Sequence, residues 1–102
     1  MPYRLTQEAE DDLAQIYRRG LKEFGEAQAD KYFNAFFDRF EVIAKAPYQL
    51  PAIDHVMKGL RKSVCGQDTI YYEVADSADD TVLILFILGR QDIKLRLKQW
   101  QP

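Results

Sequence analysis

Few side chains in this chain are suited to chemistry. His55 is the only histidine and Cys65 the only cysteine. A zinc site takes about four ligands, so this pair would need two carboxylates from scattered positions, and no ligand spacing supports that. Nucleophilic catalysis would need the thiolate within reach of the imidazole. Cys65 instead lies in a strand-like pattern, where a buried and inert thiol is expected. The five glycines are isolated, and none follows the GxGxxG or GxxxxGK spacing of a phosphate loop. The acids Glu8, Glu10, Asp11 and Asp12 suit the start of a helix, where the backbone dipole favours negative charge. The sequence thus presents no catalytic residue, metal site or cofactor site.

A polar set remains in the second half of the chain. Arg61, Lys62 and Ser63 fall in one strand-like stretch, Tyr71 in the next, and Arg90 after a third. If Arg61, Ser63 and Cys65 share the sheet face turned away from the helices, with Tyr71 and Leu85, that face could hold a phosphate or stabilise developing phosphorane charge. A solvated sheet edge with snorkelling side chains is the plainer reading of the same residues.

These residues must be positioned by elements whose order can be read from periodicity. Pro2 to Leu5 suits a short edge strand, and Thr6 suits an N-cap, its hydroxyl accepting from a free amide of the first turn. Leu13, Ile16, Tyr17, Leu21 and Phe24 then recur at helical spacing until Gly25. A second helix carries Ala29, Tyr32, Phe33, Phe36, Phe37, Phe40, Ile43 and Ala44 on one face and stops at Pro47. The aromatic stripe lacks interleaved basic residues, so it reads as core and not as a base-stacking platform.

Residues 47–58 form an aperiodic connector. Three strands come after it, Leu60 to Cys65, Thr69 to Ala75 and Val82 to Leu88, separated by Gly66-Gln67-Asp68 and by the acidic turn Asp76 to Asp80. Short turns between successive strands imply an antiparallel meander. The expected fold is therefore α+β: an N-terminal strand and a two-helix hairpin packed on a curved, mainly antiparallel four-stranded sheet, all in one domain spanning 1–102.

The last strand is apolar at both parities, Val82, Ile84, Phe86 and Leu88 against Leu83, Leu85 and Ile87. Two helices cover one face, so the other needs a partner polypeptide or the C-terminal segment folded back. That segment is itself ambiguous. Ile93, Leu95 and Leu97 alternate like a strand, while Ile93, Leu97 and Trp100 fit a helix.

Composition narrows the function classes. The chain has 102 residues, 47% hydrophobic, with a formal net charge of -2, which excludes a globally basic nucleic-acid binder. One cysteine supports no internal disulfide and points to a reducing cytoplasm. The N-terminal stretch lacks the apolar run of a signal peptide, and Val82 to Leu88 is too short to span a bilayer. Residues 1–57 hold seven Lys/Arg and ten Asp/Glu, whereas residues 58–102 hold seven and six. From Thr81 onward Arg90, Lys94, Arg96 and Lys98 face only Asp92, so the C-terminal end is locally cationic.

Several stretches resemble the RelE/ParE superfamily of toxin–antitoxin toxins: YRLTQEAEDDL at the start, FGEAQADKY at the helix turn, GLRKSV after the connector, TIYYEV in the middle strand and LFILGRQD before the C-terminus. The likeness runs from Tyr3 to about Asp92 and is greater to the ParE branch. It implies a toxin of a type II module, neutralised in a hetero-oligomer by a small ParD-like antitoxin. ParE-type toxins inhibit DNA gyrase, whereas RelE-type toxins cut mRNA in the ribosome with basic residues and a tyrosine. Here the matching basic positions thin to Arg61, Lys62 and Arg90, with Tyr71 or Tyr72 nearby, and the histidine that many relatives carry just before Gly89-Arg90 is absent.

The resemblance therefore implies gyrase inhibition without turnover, direct nucleic-acid binding not being expected. The alternatives are a RelE-like ribosome-dependent mRNA interferase and a non-toxic interaction module. The expected target-contact residues are Arg61, Arg90, Lys94, Arg96, Lys98 and Trp100. Tyr71, Leu83, Leu85 and Ile87 are the expected antitoxin-facing groove.

Overall fold

A computed structural model describes residues 1–75, 81–89 and 93–99. The elements run β1 (Tyr3–Leu5), α1 (Gln7–Phe24), α2 (Glu26–Lys45), β2 (Arg61–Cys65), β3 (Asp68–Val74), β4 (Val82–Leu88) and α3 (Ile93–Gln99). The acidic turn at Asp76 to Asp80, together with Arg90 and Trp100, lies outside the described residues.

Local chemistry sets the helical hairpin. The Thr6 hydroxyl accepts from the Ala9 amide at 3.1 Å and caps α1. Gly25 ends α1 and starts α2 in one residue, at φ 86 and ψ 173, a conformation open to glycine and costly for other residues. The helices approach closely where a Cβ on Gly20 would lie 3.2 Å from the Ala29 Cβ. α1 and α2 then bury Leu13, Ile16, Phe36, Phe40 and Ile43 against Ile70, Tyr72, Val82 and Ile84 of the sheet. Tyr72 is fully buried, and its hydroxyl donates to the Pro47 carbonyl at 2.7 Å, fixing the start of the connector.

The sheet order is β1-β4-β3-β2, with β1 parallel to β4 and the other pairs antiparallel. The four-stranded α+β arrangement is the expected one. Two expectations about the faces are corrected. The β3–β4 register steps from Tyr71↔Phe86 to Tyr72↔Ile84, so Leu85 is an extra residue. Such a bulge reverses strand parity beyond it. Ile87 consequently lies in the helix-facing core, not in the second-face groove, while Leu85, Phe86 and Leu88 share the second cluster. In β2 the register pairs Arg61 with Tyr72 and Ser63 with Ile70, and directly opposed residues point to the same side. Arg61, Ser63 and Cys65 therefore face the helices, opposite to expectation.

β1 pairs with Val82 to Ile84, and among the described residues no strand continues along the rest of that β4 edge. Side chains of α1 fill the gap. The Thr6 hydroxyl donates to the Leu85 carbonyl at 2.6 Å, and Asp12 accepts from the Ile87 amide at 2.9 Å. Asp12 also receives the Arg96 guanidinium of α3 at 2.9 Å. Burial raises the Asp12 carboxyl above its ordinary value, against the smaller opposing pull of the Ile87 amide and Arg96. Near the same α1 face, buried Asp68 accepts from Tyr32 at 2.7 Å and from Arg19 at 3.0 Å, tying the β2–β3 turn to both helices.

These contacts have two measurable outcomes. Gly66 sits at φ 63, and a Cβ there would lie 2.5 Å from the Tyr32 ring, which its hydrogen bonds hold in place. Gly66→Ala is expected to lower unfolding stability by about 1–3 kcal/mol, measured by urea denaturation; an unchanged midpoint would contradict the packing described. For Asp12, a raised folded-state value means that ionisation costs the folded chain more than the unfolded one. Its contribution is most favourable below the ordinary value of 3.8 and declines as pH rises through the raised value. Stability relative to Asp12→Asn is therefore expected to fall as pH rises from below 3.8 in urea titrations, and a rise would refute the assignment.

Candidate functional site

The second face of the sheet is floored by Tyr71, Leu83, Leu85, Phe86 and Leu88. Of the residues expected there, Tyr71, Leu83 and Leu85 are present and Ile87 is not. The face is largely closed by the chain itself. Ile93 and Leu97 of α3 pack on it, as do Ile53, Val56, Met57 and Leu60 from the connector and the approach to β2. Self-coverage by the C-terminal segment, one of the two readings left open by the sequence, is thus realised. The segment is helical, which settles its ambiguous periodicity.

The structure divides the expected cationic set. Arg61 is engaged internally: its guanidinium donates to the Leu50 carbonyl at 2.6 Å and the Tyr48 carbonyl at 3.3 Å, and lies over the Tyr48 ring. It pins the connector to β2. Arg96 is likewise engaged, paired with Asp12 and with Glu8 at 3.4 Å and stacked 5.3 Å from the Phe86 ring centroid. A guanidinium held this way anchors α3 through charge, hydrogen bonds and a cation–π contact together. Lys94 and Lys98 are exposed on the outer side of α3, next to Leu95 at 56% exposure. Arg90 and Trp100 are outside the described residues and are not placed.

The outward surface of α3 is therefore basic with one apolar contact, presented by a helix whose inner side is anchored. Lys62 pairs directly with Tyr71 across β2–β3, so these two share the second face. Burial raises the Tyr71 hydroxyl, which holds its proton more tightly than a solvated phenol. Cys65 is buried against the helices and its thiol is raised by burial, the opposite of an activated nucleophile. Among the described residues no group of three or more His, Cys, Asp or Glu stands in a position to hold a metal ion. No helix among them is long and apolar enough to cross a membrane.

Two residues that shape this surface carry no clear signal in the sequence. Asp12 reads as one acid among four at a helix start, and nothing local marks it as the partner of an arginine 84 residues away. Simple alternation assigns Phe86 to the helix face, and the bulge breaks that alternation. No periodicity rule locates a bulge, although a strand apolar at both parities tolerates one.

Comparison with known proteins agrees with this architecture. No curated protein matches the sequence. Among solved structures, the chain is similar to one from "Chromosomal ParDE TA system from P. aeruginosa", at TM-score 0.76 and 18% identity, covering 89% of this chain and 97% of that one. At that identity the likeness establishes the fold. The family model described as ParE toxin of type II toxin-antitoxin system, parDE, matches residues 3–93. With that match over most of its length, the chain belongs to the ParE toxin family of type II toxin–antitoxin systems.

Proposed function

We propose that this toxin acts in the cytoplasm by binding DNA gyrase and inhibiting it, and that a ParD-like antitoxin holds it inactive in a hetero-oligomeric complex. The observation that carries the reading is the family match over residues 3–93. The geometry supports recognition over turnover. Cleaving RNA calls for unpaired cations and a proton-transfer group converging on one phosphate. Here Arg61 donates to backbone carbonyls, Arg96 is neutralised by two carboxylates, and Tyr71 is raised by burial.

The gyrase-facing surface is the outer side of α3, with Lys94, Leu95 and Lys98, extended by Arg90 and Trp100 from the sequence. Arg61 and Arg96 contribute by fixing the connector and α3 beneath it. Basic side chains on a protein-binding surface favour encounter with an acidic partner and make binding weaken as salt screens them. Tyr71, Leu83 and Leu85 serve as an antitoxin groove only if α3 is displaced, because Ile93 and Leu97 already occupy it.

The purified chain is expected to inhibit gyrase supercoiling and to leave mRNA intact in a cell-free translation reaction. Lys94→Glu with Lys98→Glu is expected to weaken inhibition by about tenfold or more, with thermal unfolding little changed. Codon-phased mRNA cuts with supercoiling untouched would replace this reading by the ribosomal one. Normal growth on induction of the chain alone would favour a non-toxic interaction module.

A further inference from the structure

At the tip of the helical hairpin, the end of α1, the start of α2 and the β2–β3 turn enclose a cleft of about 310 Å³. That volume is at the small end of the range for ligand sites. Its apolar floor is Ile16, Gly20, Ala29 and the Tyr32 ring. Gly20 has no side chain and Ala29 stops at Cβ, so a flat group can lie close to both helix backbones. The Tyr32 wall is fixed before anything binds, because its hydroxyl bonds to Asp68 at 2.7 Å and accepts from the Gln67 amide at 3.1 Å.

The mouth of the cleft carries one charge of each sign. Arg19 and Glu23 stand one turn apart on α1 and both line it. Arg19 is drawn to buried Asp68 and not to Glu23, so the Glu23 carboxylate has no ion pair among the described residues. The bond to Asp68 at 3.0 Å orients the guanidinium and uses one of its several N–H donors. Phe24 lines the same cleft with 63% of its surface exposed, and an apolar group placed there would take part of that ring out of water.

The charge pattern selects among small apolar ligands. A lone carboxylate gains Arg19 but is repelled by Glu23, and a lone amine gains Glu23 but is repelled by Arg19. A residue inside a peptide carries neither backbone charge. We propose that this cleft binds a free aromatic α-amino acid, its ring on the Gly20–Ala29 floor, its carboxylate on Arg19 and its ammonium on Glu23. The floor and the oriented guanidinium are in place beforehand, so little ordering opposes binding.

The test titrates the full chain with L-phenylalanine and follows backbone amide NMR signals. Saturable shifts are expected at Gly20, Ala29, Gly66 and Gln67, with a dissociation constant of about 1 mM or below. Phenylacetate and phenethylamine, each lacking one of the two charges, are expected to bind at least about tenfold more weakly. Glu23→Gln, at an exposed position, is expected to weaken L-phenylalanine by about tenfold, to abolish its advantage over phenylacetate and to leave the urea midpoint unchanged. Absence of saturable shifts at these four amides would overturn the proposal. Equal binding of phenylacetate or phenethylamine to the unmodified chain would overturn it too, as would undiminished L-phenylalanine binding to Glu23→Gln.

Discussion

The fold depends on how the edge of β4 beyond β1 is satisfied. β1 covers only its first three residues, and an amide left without a partner beyond that point costs about 1–3 kcal/mol. α1 completes the edge with side chains, Thr6 on the Leu85 carbonyl and Asp12 on the Ile87 amide. Asp12 joins three elements at once, since the same carboxylate also receives Arg96 from α3. The site of α3 on the sheet, and hence the direction in which Lys94 and Lys98 point, is a consequence of how a strand edge is hydrogen-bonded on the opposite flank of β4.

The same internal demands account for the charges. Of the seven basic residues in the second half of the chain, both arginines among the described residues are engaged internally. Arg61 commits its guanidinium to the connector, and Arg96 commits its own to Asp12, Glu8 and Phe86. The exposed side of α3 carries Lys94 and Lys98 beside the exposed Leu95. Arg61 and Arg96 are thus architectural, each holding a neighbouring segment against the sheet.

Much of this was legible in the residues. The helical periods, the Thr6 cap, Gly25 and the strand bounds all arise from local rules, because each is decided within a few residues of chain. The stretches from YRLTQEAEDDL to LFILGRQD also identified the ParE branch. The faces of the sheet were not legible, because one extra residue at Leu85 inverts the parity of the residues beyond it while every candidate remains apolar. The pairing of Asp12 with Arg96 was hidden for a different reason: it depends on the packed arrangement of α1, β4 and α3. The C-terminal helix was undecidable since a short segment with apolar side chains at Ile93, Leu95 and Leu97 satisfies both periods. Packing on Leu85, Phe86 and Leu88 selected the helix.

The parallel pairing of β1 with β4 has a kinetic consequence. The hairpin of α1 and α2 is local and closes quickly, but the contact between Thr6 and Leu85 spans 79 residues of chain. Long-range pairing is slow because the loop between its partners must be ordered first. During synthesis the first strand waits until β4 has been made, and α3 has no floor to dock on before then. A partly made chain therefore carries its helical hairpin but not its sheet edge or its basic helix face. Both surfaces therefore need β4 in place before they exist.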